Sequence, residues 1–182
     1  MSLYIMRHGR TDWNEEFRLQ GQTDIPLNDV GRQMALNTAE MIPNINFDVC
    51  FCSPLQRAIE TANICLKDKN VEIIIDDRLK ELGFGIDEGT KKPFTPGSNL
   101  DILFQTPEKY KPSKDGENLS ELFERTSKFL NERVYPLTNL DKNVLIVGHG
   151  AMNCAIISQI KHTPITKFWT NLTDNCVITQ LM

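Results

Sequence analysis

Two histidines, two arginines and one glutamate stand where apolar runs end. Arg7-His8-Gly9 follows Leu3-Tyr4-Ile5-Met6, and Gly148-His149-Gly150 follows Leu145-Ile146-Val147. Arg57 comes shortly after the run Asp48–Cys52, and Glu81 follows Val71–Ile75 through Asp76-Asp77-Arg78-Leu79-Lys80. Guanidinium groups offer planar, fork-shaped donors that match phosphate oxygens. Imidazole changes protonation near neutral pH and can serve as nucleophile, base or donor. Two imidazoles, two guanidiniums and one carboxylate together make a phosphoryl-transfer set. Arg57 adds its own hint, because a cation near a helix start is unfavourable unless an anion sits there.

For these groups to meet, the strands that carry them must be neighbours. Leu3–Met6, Asp48–Cys52, Val71–Ile75 and Val144–Val147 read as short buried strands, brief and often β-branched, as where both sheet faces are covered. In open α/β sheets ligands bind beyond the carboxyl ends of the strands, and there His8 and His149 meet if their strands are adjacent. A glycine beside each lets the backbone come close to a ligand. Asn28 reads as the N-cap of a helix reaching about Met41. Ser53-Pro54-Leu55-Gln56 reads as N-cap Ser, Pro at the first helical position and a capping-box Gln, opening a helix to about Leu66. Further helices are expected from Asn118 to Val134 and from near Ala151 to before Pro164. Alternating strands and helices predict an α/β fold, three-layer α/β/α with a mostly parallel central sheet. Cys176–Leu181 adds an edge strand of open direction. Residues 83–117, with Pro93, Pro96, Pro107 and Pro112 among Phe84, Phe94, Leu100, Phe104 and Tyr110, read as a small cap-like excursion within one domain spanning 1–182.

In that order along the chain, Arg7-His8-Gly9-Arg10-Thr11, Asn14, Ser53-Pro54-Leu55-Gln56-Arg57-Ala58-Ile59-Glu60-Thr61-Ala62, Arg78-Leu79-Lys80-Glu81-Leu82 and Val147-Gly148-His149-Gly150 resemble the histidine phosphatase superfamily, the phosphoglycerate-mutase-like group. A lone Arg-His-Gly would carry little; the ordered set, from Leu3 to about Asn175, is specific. The resemblance implies His8 as the phosphorylated nucleophile and Glu81 as the proton donor. Arg7, Arg57 and His149 would form the phosphate pocket, with Asn14 in support and Gly150 beside it. Gln20-Gly21 and Gly116-Glu117-Asn118 match pocket-lining loops. Nearby cations would keep His8 neutral and nucleophilic. The arginines and His149 would stabilise the equatorial oxygens of the transferring group. Glu15, Glu16, Glu88 and Glu117 compete with Glu81 for the acid's role.

The chain departs from its relatives in three places. Arg10 stands where an acidic residue or Gln is usual, Gly85-Ile86-Asp87-Glu88-Gly89 replaces Gly-Asp-Trp-Glu-Gly, and Gly148 replaces Ser or Thr. Leu19–Leu27 resembles the phosphatase members, and no basic insert follows Glu81 of the kind a mutase needs for its phosphoacid. A phosphatase acting on a small phosphorylated metabolite is therefore expected. A mutase, or a weakly active phosphate-binding regulatory relative, is the alternative. Apolar Phe84, Phe94, Phe104 and Tyr110 hint at a leaving group with hydrophobic bulk.

Composition narrows the classes. A net charge of −4 offers no basic field for nucleic acid or acidic lipid. No run approaches a membrane span. Five cysteines, an odd number without Cys-x-x-Cys spacing and mostly in apolar runs, favour a reducing compartment, the cytoplasm by default. Three histidines and no clustered carboxylates make a poor binuclear metal site, so a metal-independent enzyme with no cofactor is expected. His162 suits a helix C-terminus, and Lys91, Lys92, Lys109, Lys111 and Lys114 read as surface charge. A homodimer remains open.

Overall fold

The computed structural model describes residues 2–182. Strands β1 (Ser2–Arg7), β2 (Val49–Cys52), β3 (Glu72–Ile75), β4 (Asn143–Gly148) and β5 (Ile178–Gln180) form one sheet in the order β3-β2-β4-β1-β5. β1, β2, β3 and β4 pair in parallel, and β5 runs antiparallel to β1. The helices are α1 (Asp12–Glu15), α2 (Asp29–Met41), α3 (Gln56–Cys65), α4 (Asn99–Gln105), α5 (Leu119–Phe129), α6 (Tyr135–Thr138) and α7 (Gly150–Lys161). The mostly parallel α/β/α architecture is the one the sequence pattern implies.

Strand alternation sorts the core into two layers. Leu3, Ile5, Phe51, Val144 and Ile146 pack with residues of α5 and α7 on one face. Met6, Cys50, Cys52, Leu145 and Val147 pack with Ala35 of α2 and Ala58, Ala62 and Cys65 of α3 on the other. The central strands β2 and β4 are thus covered on both sides. The edge strand β3 differs from expectation, because Glu72 and Ile75 are exposed and Ile73 and Ile74 only half-buried. An edge has a neighbour on one side only, so its apolar run is not proof of full burial.

Three local readings need correction. Ser53 is not the cap of α3: Leu55 is the N-cap residue, with no side-chain hydrogen bond of its own. Asp24, from a distant loop, takes that role by accepting from Gln56 N at 2.8 Å and Gln56 Nε2 at 3.0 Å. The helix after Asn118 does not run unbroken to Val134. It passes through a π turn at Leu130–Val134 and resumes as α6. The wider turn lies just ahead of Pro136, whose ring and missing N–H would disrupt a regular ladder. β5 is shorter than the expected Cys176–Leu181. α7 ends as expected before Pro164, with His162 as a left-handed C-cap at φ 53°. Among the described residues, no helix is long and apolar enough to cross a membrane.

Between Gly83 and Glu117 the chain leaves the sheet and forms only short helical turns and α4. Leu100, Leu103 and Tyr110 from this stretch are buried in the core layer beneath.

The loop after β1 is seated on the start of α2 by backbone contact. A Cβ at Gly9 would lie 2.6 Å from Gly31 O, and one at Gly31 would lie 2.1 Å from Arg10 O. The glycine after His8 is therefore demanded by the packing of this loop on α2. Gly31→Ala, which forces backbone apart, is expected to lower unfolding free energy by roughly 1–3 kcal/mol, read from urea denaturation.

Candidate active site

Register alone brings the two histidines together. Arg7 pairs with Gly148 in the β1–β4 ladder, so the next residues, His8 and His149, leave adjacent strands side by side. Their ring centroids lie 5.1 Å apart, tilted by 57°. Cys52 pairs with Val147, which sets Ser53 at the same edge. Both histidines and Arg57 are buried.

The tautomer of His8 follows from its partners. Nδ1 lies 2.6 Å from Gly9 O, and a carbonyl can only accept, so Nδ1 carries the proton. Nε2 keeps its lone pair and accepts from Arg57 Nε at 3.3 Å. The main chain here is fixed too: Gly9 N donates to Thr61 Oγ1 at 2.9 Å and Asn175 Nδ2 donates to His8 O at 2.6 Å. Arg57 makes its remaining bonds to neutral carbonyls, Thr23 O at 2.9 Å and Gly21 O at 2.7 Å. Among the described residues no carboxylate bonds to it; burial pulls its pKa down to about 10, still cationic at neutral pH, against the opposing charges of Glu81, Asp24 and Glu88.

His149 opens α7 as its N-cap residue, and its Nε2 lies 2.7 Å from Ser53 Oγ. Its buried Nδ1 has no partner within the protein. Arg7 donates to Thr173 O at 3.4 Å, while its Nε is buried without a protein partner. Burial, followed by the Arg57 and Arg7 guanidiniums, holds the His8 pKa well below the ordinary imidazole value. His149 is lowered in the same way, by burial first, then Arg57, His8 and Arg7.

Glu81 sits at the start of α7. Oε1 accepts from Leu82 N and Met152 N, both at 2.9 Å, and Oε2 accepts from Ala151 N at 3.2 Å. A point built as a Cβ on Gly150 lies 3.5 Å from Glu81 Oε2 and 3.6 Å from Arg7 Cζ, so carboxylate and guanidinium flank Gly150. That spacing is ordinary contact, and Gly150 is not sterically compelled. The rival carboxylates are engaged elsewhere: Glu15 with Arg10, Glu16 with Arg18 and Lys91, Glu117 with Arg125. Glu88 accepts from the main chain of Gln22, Thr23 and Phe84.

Arg7, His8, Arg57, Glu81 and Gly150 open onto one cavity of about 900 Å³, with Asn14, Gln20 and Gly21 in its wall. Asn14 Oδ1 is engaged by Thr11 N at 3.0 Å in a capping box, which leaves Nδ2 as the donor end of that amide. Gln20 has a buried Oε1 without a partner. Gly21 adopts φ +57°, where a side chain would strike Glu88, and contributes its carbonyl to Arg57. Gly116 and Glu117 line a separate polar groove instead. At Gly148 a Cβ would meet the end of the Met152 side chain, so Met152 fills the space that a side chain at 148 would need. Four contributors were not singled out by sequence: Ser53 in this role, Thr61, Asp24 and Glu88 as a loop tie. All four lie inside stretches quoted above, Asp24 within Leu19–Leu27, but no local pattern marks Asp24 as the acceptor at the start of α3.

Neutral imidazoles and two largely buried guanidiniums thus converge at the carboxyl edge of the parallel sheet of this α/β protein, with the Glu81 carboxylate beside them. The chain belongs to the histidine phosphatase superfamily (branch 1), whose sequence profile matches residues 3–182. It is 34% identical over 178 residues to the "Uncharacterized phosphatase PhoE" of Bacillus subtilis, covering 95% of this chain and 84% of that one. It is 32% identical to "2,3-bisphosphoglycerate-dependent phosphoglycerate mutase 2" of Gloeobacter violaceus, covering 89% and 77%. Among solved structures, phosphoserine phosphatase from Entamoeba histolytica, in complex with 3-phosphoglyceric acid, superposes with a TM-score of 0.84 at 28% identity, covering 98% and 89%.

The depressed histidines carry a stability signature. An unfolded chain protonates each ring near pH 6.5, whereas the folded protein does so only well below that. In between, the unfolded state binds more protons, so stability is full above that value and falls with acidification. Each ring contributes a slope of up to about 1.4 kcal/mol per pH unit. Urea unfolding at several values between neutrality and mild acid is expected to show this slope, reduced in His8→Asn. Equal slopes in the two proteins would contradict the buried neutral ring.

Proposed function

We propose that the protein is a phosphomonoester hydrolase that works through a phosphohistidine on His8, without metal or cofactor, on a small phosphorylated metabolite. The observation that carries this reading is the His8 tautomer. With Nδ1–H committed to Gly9 O, the ring's lone pair sits on Nε2, where only a 3.3 Å contact from Arg57 Nε–H must give way to an incoming phosphoryl group.

In the first step Nε2 attacks phosphorus, the bond to the leaving oxygen breaks, and Glu81 gives that oxygen its proton. In the second, water attacks the phosphohistidine, Glu81 takes a proton from it, and the N–P bond breaks to release phosphate and restore Nε2. Arg7, Arg57 and His149 hold the equatorial oxygens, where preorganised donors contribute most in a water-poor site. For His149 this requires Ser53 Oγ to donate to Nε2, leaving Nδ1–H for the phosphoryl group. Ser53 is then a positioning residue. Asn14 Nδ2, Gln20 and the main chain at Gly21 and Gly150 line the substrate's path. Residues 1–182 act as one domain in this reading and 83–117 as its cap, a view supported by Phe84, Phe94 and Phe104 in the cavity wall. A reducing cytoplasm suits the five cysteines, all free and buried.

The likeness to a phosphoglycerate mutase favours one second reading, transfer between phosphoglycerates. Measuring inorganic phosphate release against 3-phosphoglycerate interconversion separates the two.

Incubation with labelled phosphomonoester is expected to give an acid-labile, alkali-stable label on the wild type and none on His8→Ala. Turnover in that variant should fall by at least about a thousand-fold. Undiminished turnover would sink the assignment. Glu81→Gln should slow alkyl esters by roughly 10²–10⁴-fold and nitrophenyl phosphate much less, since that leaving group needs no proton. Activity should survive a strong chelator.

A further inference from the structure

The cavity is floored by the phosphate-gripping groups but walled by aromatic ones. Phe104 stacks on Trp169 at 4.2 Å with 6° between the planes, and Phe94 meets the edge of the same cluster at 4.1 Å from Phe104. Trp169 is held rigidly, its Nε1 donating to Leu103 O at 2.7 Å. These rings, with Trp13, Phe17 and Leu172, line the space above His8.

Phe17 is the most telling of them. It is 75% exposed, and its backbone lies at φ 52°, a left-handed conformation that bulky residues rarely adopt. Gly or Asn would relieve both the strain and the exposed apolar surface. Strain of this kind persists where the surrounding structure enforces it, often at ligand clamps. Here the enforcement is visible: Lys92 N donates to Phe17 O at 2.9 Å, so the rim carrying Phe17 is tied to the segment carrying Phe94.

Charge points the same way. Apart from Arg7 and Arg57, the cations of the wall are Arg18 and Lys92. Arg18 pairs with Glu16 at 2.8 Å and lies over the Trp13 ring at 5.0 Å. Among the described residues, Lys92 is thus the wall cation without an acidic partner and Arg18 keeps a buried Nε without a protein partner, against an apolar wall of Trp13, Phe17, Phe84, Phe94, Phe104 and Trp169.

We propose that the Phe17, Phe94, Phe104 and Trp169 wall selects phosphomonoesters of flat, uncharged, aromatic-bearing alcohols over small esters and phosphoacids. This rests on the phosphatase reading for its turnover but not for its binding. The test therefore uses non-hydrolysable phosphonates and calorimetry on the full chain. Naphthylethylphosphonate is expected to bind roughly 30-fold tighter than ethylphosphonate, the gain from burying one fused ring system against aromatic walls. In Trp169→Ala and in Phe17→Ser that ratio should fall several-fold towards one. Phe17→Ser removes a strained, exposed side chain and so guards against a folding artefact. Equal affinity of the two phosphonates, tightest binding of carboxyethylphosphonate, or a ratio untouched in folded Phe17→Ser would overturn the proposal. Phosphonate selectivity without phosphate release from the matching esters would instead overturn the hydrolase reading and leave the wall's preference standing.

Discussion

A guanidinium at Arg57 lies wholly inside the protein with no carboxylate against it. Burial of an ion without a partner of opposite charge is strongly unfavourable unless its hydrogen bonds are met. Here they are met by an imidazole lone pair and two main-chain carbonyls, and much of the surrounding architecture serves to hold those three acceptors in place. Thr61 links them from below, donating to Arg57 O at 2.6 Å and accepting from Gly9 N at 2.9 Å. Glu88 ties down the loop that supplies the Gly21 and Thr23 carbonyls by accepting from Gln22 N and Thr23 N. Asp24, in that same loop, caps α3, the helix that carries Arg57. Loop and helix thus fix each other. The result is a buried cation held directly by neutral acceptors, with Glu81, Asp24 and Glu88 offsetting its charge only from a distance.

The same burial determines the state of the histidines. Desolvation and the two guanidiniums both disfavour imidazolium, so the rings stay neutral without a carboxylate to orient them. Orientation comes from neutral partners instead, a carbonyl for His8 and a hydroxyl for His149. A carboxylate beside either ring would raise its basicity and favour protonation over nucleophilic attack. With neutral partners, the lone pair of His8 Nε2 meets only the 3.3 Å contact from Arg57 Nε, which the proposed reaction would exchange for phosphorus.

The placement of His8 and His149 was legible because it depends on strand register: two apolar runs of similar length, each ending in a histidine, need only be adjacent and parallel. The helix starts at Asn28 and Asn118 were legible for the same local reason, a side chain bonding to its own helix. Ser53 misled because its local pattern suits a cap while tertiary contact claims its hydroxyl for His149, and Asp24 supplies the cap from afar. The glycine beside His8 carries a packing constraint that sequence does not show, since the Gly31 backbone lies where a side chain would go. Tyr110, grouped by sequence with the apolar residues of the 83–117 excursion, packs into the core layer, while Trp169, beyond every quoted motif, stacks in the cavity wall. No periodicity announces a ring that reaches a site from the far end of the chain.

Why Glu81, among several nearby carboxylates, should be the one beside the phosphoryl site follows from helix α7. The first N–H groups of a helix need acceptors, and the N-cap residue, His149, gives none from its side chain. Glu81 supplies them through Ala151 and Met152, while Arg125 Nη2 and Gln22 Nε2 hold its own main-chain carbonyl at 3.0 Å each. Its carboxylate is therefore anchored at both ends, and Oε2, with a single bond of 3.2 Å, is the less engaged oxygen and the one beside Arg7's side of Gly150. Because the second imidazole and the proposed proton donor share one helix start, they keep their spacing from each other whatever small motion α7 makes. The positive end of the helix dipole faces the same point, adding a fixed partial charge that favours an anion there. The proposed nucleophile and phosphate grip would thus be set by the sheet and α3, and the proposed proton transfer by the start of α7, with a bound phosphoryl group bridging them.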